Sequence, residues 1–137
     1  MAGARRGERA GQPLILIADD TTDTRELYAD YFGKRGFRVV TAHDGATAVS
    51  AALEYVPDVI VMDLAMPQFD GITAIRRIRA DRRTRRCRLI LLTGYPQMAA
   101  ERGAIEAGAD RFLTKPCVPA ELERHVLELR RRRRRPT

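Results

Sequence analysis

Five short apolar runs punctuate the chain, and between them apolar residues recur at helical spacing. Leu14-Ile15-Leu16-Ile17-Ala18, Val59-Ile60-Val61-Met62 and Leu89-Ile90-Leu91-Leu92 are almost wholly apolar, as strands buried on both faces are. Phe37 to Thr41 and Arg111 to Thr114 each carry an arginine, Arg38 and Arg111, which suits the edges of a sheet. Strands are therefore predicted over 14–19, 37–41, 59–63, 89–92 and 111–114. Helical stripes fill the intervals: Leu27, Tyr28, Tyr31 and Phe32; Ala46, Val49 and Leu53; Ile72, Ile75 and Ile78; Leu122, Val126 and Leu129. The stretch 97–107 is a weaker, Ala-rich helix with Gly103 inside it, and the last helix runs from Val118 to about Arg132. Gly33 and Gly36 loosen the end of the first helix, Asp44 caps the second, Pro57 closes it, and Gly71 opens the third.

Strand–helix alternation with right-handed crossovers gives a parallel sheet covered on both faces. Placing the apolar strands centrally and the arginine-bearing ones outside predicts the order 2-1-3-4-5, a flavodoxin-like doubly wound α/β sheet in a single domain. The expected layout is a leader over 1–12, a folded domain over 13–129 and an arginine-rich tail over 130–137. No internal repeat is evident.

Composition changes this picture little. The 137 residues suit one domain with a real core. Cys87 and Cys117 are too few for a disulfide framework and read as small apolar fillers in a reducing, cytoplasmic setting. No apolar run approaches the roughly 18–20 residues of a membrane span. Net charge is +7, but Arg130 to Arg135 supply +6 and the first thirteen residues +2, leaving −1 for residues 14–129. The excess positive charge thus belongs to the ends. Within the body, arginines cluster at Arg76-Arg77-Ile78-Arg79 and over Arg82 to Arg88, predicting one basic face.

The chemistry gathers where strands stop. The first ends at Asp19-Asp20, the third at Asp63, the fourth at Thr93, and the fifth just before Lys115. In open α/β sheets these carboxyl ends hold the ligand site, at the switch point between strands 1 and 3. Carboxylates about 4 Å apart repel by roughly 4 kcal/mol at an effective dielectric near 20. Relief comes from a proton or from a hard divalent cation such as Mg2+. Lys115 and the Thr93 hydroxyl argue for an arriving anion, and an aspartate nucleophile beside them supports phosphoryl transfer.

With Asp19-Asp20, Asp63, the Met66-Pro67…Asp70-Gly71 loop, Thr93 and Lys115-Pro116 in order, residues 13–130 resemble a receiver domain of two-component response regulators, of the single-domain chemotaxis-regulator kind. Phe112 matches the family's switch aromatic, and Arg25 its arginine after the acidic pair. The resemblance implies that Asp63 accepts a phosphoryl group from a histidine kinase or histidine phosphotransfer protein. It implies Mg2+ (or Mn2+) on Asp20, Asp63 and the Ala65 carbonyl, with Asp19 acting through water. Thr93 and Lys115 would contact the phosphoryl group. Thr93 would move and Phe112 turn inward, altering the surface of helix 4, strand 5 and helix 5 for a downstream protein target or a homodimer. Ala65 and Tyr95 stand where the family tunes phosphoryl lifetime. Neither offers a water-orienting amide or carboxylate, so slow to moderate self-dephosphorylation is expected. The chain would then be a phospho-acceptor, not a turnover enzyme.

Other readings compete. Asp19 or Asp20 could cap the following helix. A haloacid-dehalogenase-like phosphatase needs a second Asp two residues after its nucleophile, where this chain has Ala65. A flavin or nucleotide domain wants a Gly-rich loop where Asp19-Asp20-Thr21-Thr22 stands. The Arg130 to Arg135 run is either a solvated helix end or an arm for weak binding to a polyanion, nucleic acid or membrane surface. His43 and His125 read as surface or interface residues without a phosphotransfer or metal context.

Overall fold

Every central strand is sealed on both sides, and that seal explains the order of the sheet. The computed structural model describes residues 11–66, 70–94 and 98–131. It contains β1 (Leu14–Ala18), α1 (Thr22–Lys34), β2 (Arg38–Ala42), α2 (Gly45–Tyr55), β3 (Val59–Asp63), α3 (Gly71–Ala80), β4 (Arg88–Thr93), α4 (Met98–Ala107), β5 (Arg111–Thr114) and α5 (Pro119–Arg131). All strand pairs are parallel, in the order β2-β1-β3-β4-β5. Each residue of β1 and β3 is buried, while β2 and β5 are only partly covered.

Two apolar layers flank the sheet. One side of the strands, including Leu16, Ile60, Met62, Leu89 and Leu91, packs with Ala48, Ala52, Ala74, Ile75, Ile78 and Ala104 of α2, α3 and α4. The other side, including Ile15, Ile17, Val59, Val61 and Ile90, packs with Tyr28 and Phe32 of α1 and Leu122, Val126 and Leu129 of α5. The α1–α5 layer is also stitched by polar bonds. Glu123 accepts from the Tyr31 hydroxyl at 2.7 Å and from Arg35 Nε at 3.0 Å.

Several expectations shift. Leu27 is 56% exposed, so α1 buries Tyr28 and Phe32 without it. The α2 stripe is Gly45, Ala48 and Ala52, with Ala46, Val49 and Leu53 only half-buried. Small residues let that helix lie close to the sheet, a signal that an eye for large side chains overlooks. Gly33 lies inside α1, and Gly36, at φ +93°, follows the C-cap Arg35. Asp44 does cap α2, in a reciprocal box with Thr47.

The predicted basic face stands for the exposed Arg76, Arg77, Arg82, Arg83, Arg85 and Arg86, but Arg79 leaves it. Arg79 is partly buried, its guanidinium set among backbone carbonyls. It donates to Gly108 O at 2.9 Å, Arg85 O at 2.9 Å, Cys87 O at 2.5 Å and Asp110 Oδ2 at 3.1 Å. It pins the α4–β5 turn to the α3–β4 loop at the amino end of the sheet. His125 sits partly covered, its Nδ1 2.7 Å from Arg111 NH1, which also donates to Glu128. Both cysteines are free and buried.

Candidate functional site

Parallel register brings the acidic residues together. Ala18 pairs with Met62, so the next residues, Asp19 and Asp63, leave adjacent strands side by side. Asp63 pairs with Leu92, so Thr93 follows on the far side. Lys115 comes just beyond β5, and its amide donates to Thr93 O at 2.7 Å. The Lys115–Pro116 peptide is cis.

Asp19, Asp20 and Asp63 each present a carboxylate oxygen within 4.8 Å of the others. Asp19 and Asp63 are buried, at 3% and 6% exposure, while Asp20 faces solvent. Lys115 Nζ donates to Asp19 Oδ2 at 3.0 Å and to Asp63 Oδ2 at 3.4 Å. One ammonium against three carboxylates leaves the cluster two charges short of neutral. At an effective dielectric near 20, the buried Asp19–Asp63 pair alone repels by roughly 3 kcal/mol.

The consequence shows at Asp63, whose pKa is raised to about 6. Burial is the main cause, and Asp19 adds to it. Lys115 and a hydrogen bond from the Ala65 amide oppose it. Lys115 is raised as well: burial works against its charge, but Asp19 and Asp63 outweigh it. An oxygen-only, partly buried and under-neutralised donor set fits a hard divalent cation.

Neither carboxylate of the acidic pair caps α1. Its N-cap is Thr21, which makes no side-chain cap bond, and Asp19 Oδ1 instead accepts from the Thr21 amide at 2.8 Å. Arg25 NH1 donates to the Asp19 carbonyl at 2.7 Å, so α1 holds the backbone that aims this side chain. Thr93 is fully buried, and Phe112 is half-buried against the α2–α3–α4 layer. Ala65 is exposed. Tyr95 lies outside the described residues, as do Arg132 to Arg135 of the tail.

Two residues named in the sequence support the site through contacts that the sequence did not reveal. Gly71 N donates to Leu64 O at 2.8 Å, and α3 starts directly beneath the end of β3. A glycine right after an N-cap aspartate was the available clue. Tyr28 is the other. Its hydroxyl donates to Cys117 O at 2.6 Å and ties α1 to the Lys115 loop. Burial, with Cys117 and Asp19 nearby, pushes that phenol up to about 12.

A doubly wound sheet with this acidic cleft has known counterparts. The family model of the response regulator receiver domain matches residues 15–127. Transcriptional regulatory protein PrrA of Mycobacterium tuberculosis is 39% identical over 122 residues, 88% of this chain and 51% of that protein. Chemotaxis protein CheY of Bacillus subtilis is 40% identical over 103 residues, 74% of this chain and 84% of that protein. Among solved structures, the receiver domain of a sensor histidine kinase from Pseudomonas aeruginosa PAO1 matches with a TM-score of 0.82 and 30% identity. The match covers 89% of this chain and all of that one, which holds a magnesium ion coordinated in its active site cleft. The chain belongs to the response regulator receiver domain family of two-component signalling. It spans about half the length of the PrrA relative. No helix among the described residues is long and apolar enough to cross a membrane.

Proposed function

We propose that Asp63 accepts a phosphoryl group from a phosphohistidine on a histidine kinase or histidine phosphotransfer protein. The observation that carries this is the Lys115 ammonium bridging Asp19 and Asp63 at the switch point of the sheet. A carboxylate oxygen of Asp63 attacks phosphorus, the P–N bond breaks, and the imidazole nitrogen leaves with its electron pair. Lys115 is already within reach of the acceptor and would turn to the arriving phosphoryl oxygens. Mg2+ or Mn2+, held by Asp20, Asp63 and the Ala65 carbonyl with Asp19 acting through water, would neutralise charge on those oxygens.

Access favours a protein donor. An open, largely apolar groove lined by Thr24, Leu27, Tyr28, Pro116, Cys117 and Val118 runs up to Lys115. Leu27 and Val118, at 56% and 61% exposure, give such a donor an apolar edge to seat against.

Output would follow from Thr93 and Phe112. A hydroxyl drawn toward the phosphoryl group vacates space beside the half-buried Phe112 and changes the α4–β5–α5 surface seen by a protein target. The chain acts as an acceptor and switch, not as a turnover enzyme. Ala65 brings no carboxylate or amide to orient water, so the phosphoryl group outlasts seconds. The test is intact mass after incubation with acetyl phosphate and Mg2+, beside Asp63→Asn. Gain of one phosphoryl group that is lost with EDTA and absent in the variant is expected. Equal labelling of the variant would overturn the assignment of Asp63.

A further inference from the structure

We infer that the amino end of the sheet, opposite the acidic cleft, is a binding surface for the phosphodiester backbone of a nucleic acid. Arg82, Arg83, Arg85 and Arg86 in the α3–β4 loop are exposed and together line an open concavity. The loop beneath them is fixed. The buried Thr84 hydroxyl donates to Ile78 O at 2.6 Å, and Thr84, Arg85 and Cys87 amides close its turns. Arg79 holds it from below through Arg85 O and Cys87 O.

A second group of arginines arrives at the same pole. Arg88, which opens β4, donates from Nε to Leu129 O at 3.0 Å. The carboxyl end of α5 is thereby docked beside the loop, with Arg130 and Arg131 exposed just beyond it. Two stretches that are over forty positions apart in sequence thus place their positive charge together.

Most of this charge is unspent. Asp81 engages Arg83 through both carboxylate oxygens, at 3.0 Å each. Nearby Asp110 is held by Arg79, and Glu128 by Arg111 and Arg124. Among the described residues, Arg82, Arg85, Arg86, Arg130 and Arg131 have no carboxylate at ion-pair distance. A solvated charged face mixes its signs, whereas this one concentrates a single sign on a rigid concavity.

The side chains favour a nucleic acid over a membrane. Guanidinium forks match phosphate oxygens in pairs. Surface binding to lipid draws on an apolar face, and no large hydrophobic residue is exposed in the loop. No aromatic residue or groove-reading motif accompanies the arginines, so binding is to backbone charge and not to sequence. Five-residue strands separate the two poles by about 16 Å, roughly twice the Debye length of about 8 Å in physiological salt. Binding here therefore occupies the pole opposite Asp63 and leaves the acidic cleft uncovered.

The test is fluorescence anisotropy of a labelled random-sequence duplex of about 20 base pairs between about 50 and 200 mM salt. The proteins compared are the full chain and the triple variant Arg82→Gln, Arg85→Gln, Arg86→Gln, which leaves the Asp81–Arg83 pair intact. The expected result is a steep loss of affinity with salt. In the variant, affinity should fall at least tenfold, and the log–log slope should shrink by about 0.9 for each phosphate that is no longer neutralised. Labelling with acetyl phosphate should be unchanged, which shows that the variant is folded; should it fail, Arg82→Gln with Arg86→Gln serves in its place. Affinity and slope unchanged in a folded variant would overturn the proposal, because binding would then owe nothing to the loop. No binding at about 50 mM salt would overturn the proposal. So would loop-dependent binding confined to phosphatidylserine vesicles.

Discussion

The α-carbon of Gly71 lies so close to the end of β3 that a methyl group there would sit 2.6 Å from the carbonyl oxygen of Asp63. Leu91 Cδ1 at 2.8 Å and Leu64 Cα at 3.1 Å close the remaining space. Because the nearest atom is backbone, no side-chain rotation relieves the clash. Gly71→Ala should cost about 1–3 kcal/mol by urea denaturation, the range for overpacking a tight site. It should also slow labelling of Asp63. Alanine in an ordinary helical position would be mildly stabilising, so an unchanged or higher midpoint would show that α3 can retreat.

Asp63 should make the metal-free protein less stable as pH rises. Its folded pKa of about 6 lies above the ordinary 3.8. The folded state therefore holds the proton more tightly than the unfolded chain. Its contribution is fully present below about pH 4 and is lost as pH climbs through about 6. A shift near two units corresponds to about 3 kcal/mol. Asp63→Asn should remove this slope and raise the urea midpoint in EDTA at pH 7.5. A variant less stable than the parent there would mean that Lys115 gains more from Asp63 than burial costs.

Divalent metal should reverse that penalty. Mg2+ at about ten times its dissociation constant stabilises the folded state by about 1.4 kcal/mol through mass action. A thermal-melt series in Mg2+ against EDTA should therefore show a rising Tm, abolished in Asp20→Ala. An identical rise in that variant would place the metal elsewhere.

Arg79 should be intolerant of truncation. Arg79→Met strips one donor set from three carbonyls and leaves Asp110, already bonded by the Leu89 amide, without its guanidinium partner. The pair is partly buried, at 12% and 15% side-chain exposure, so the loss should fall below the about 3–5 kcal/mol of a fully buried pair, at about 1–3 kcal/mol. Arg79→Lys should recover little, since a single ammonium cannot span that fork. Full rescue by lysine in chemical denaturation would show that charge alone matters.

Most of the scaffold was readable because its signals were local. Apolar runs gave the strands, and the arginines at Arg38 and Arg111 separated edge from centre. The acidic pair, Asp63 and Lys115 were legible because each ends a strand, where chain direction dictates convergence. What failed depended on distance or on small size. The α2 stripe rests on alanines, which carry weak hydrophobic weight but permit close approach. Leu27 looked like core by spacing, yet it lies on the rim beside Lys115. Arg79 read as one charge in a basic run because nothing in sequence reveals carbonyls arriving from the α3–β4 and α4–β5 loops. Tyr28 and Cys117, 89 positions apart, meet only once the sheet closes.

All five strands point one way, and so the molecule has a front and a back along that axis. Acid collects at the front and unspent arginine at the back, giving it a built-in compass. Approaching a polyanion, it would turn its back first. Once held there, it would keep the acceptor carboxylate looking outward, open to a visiting donor rather than pressed against the surface that captured it.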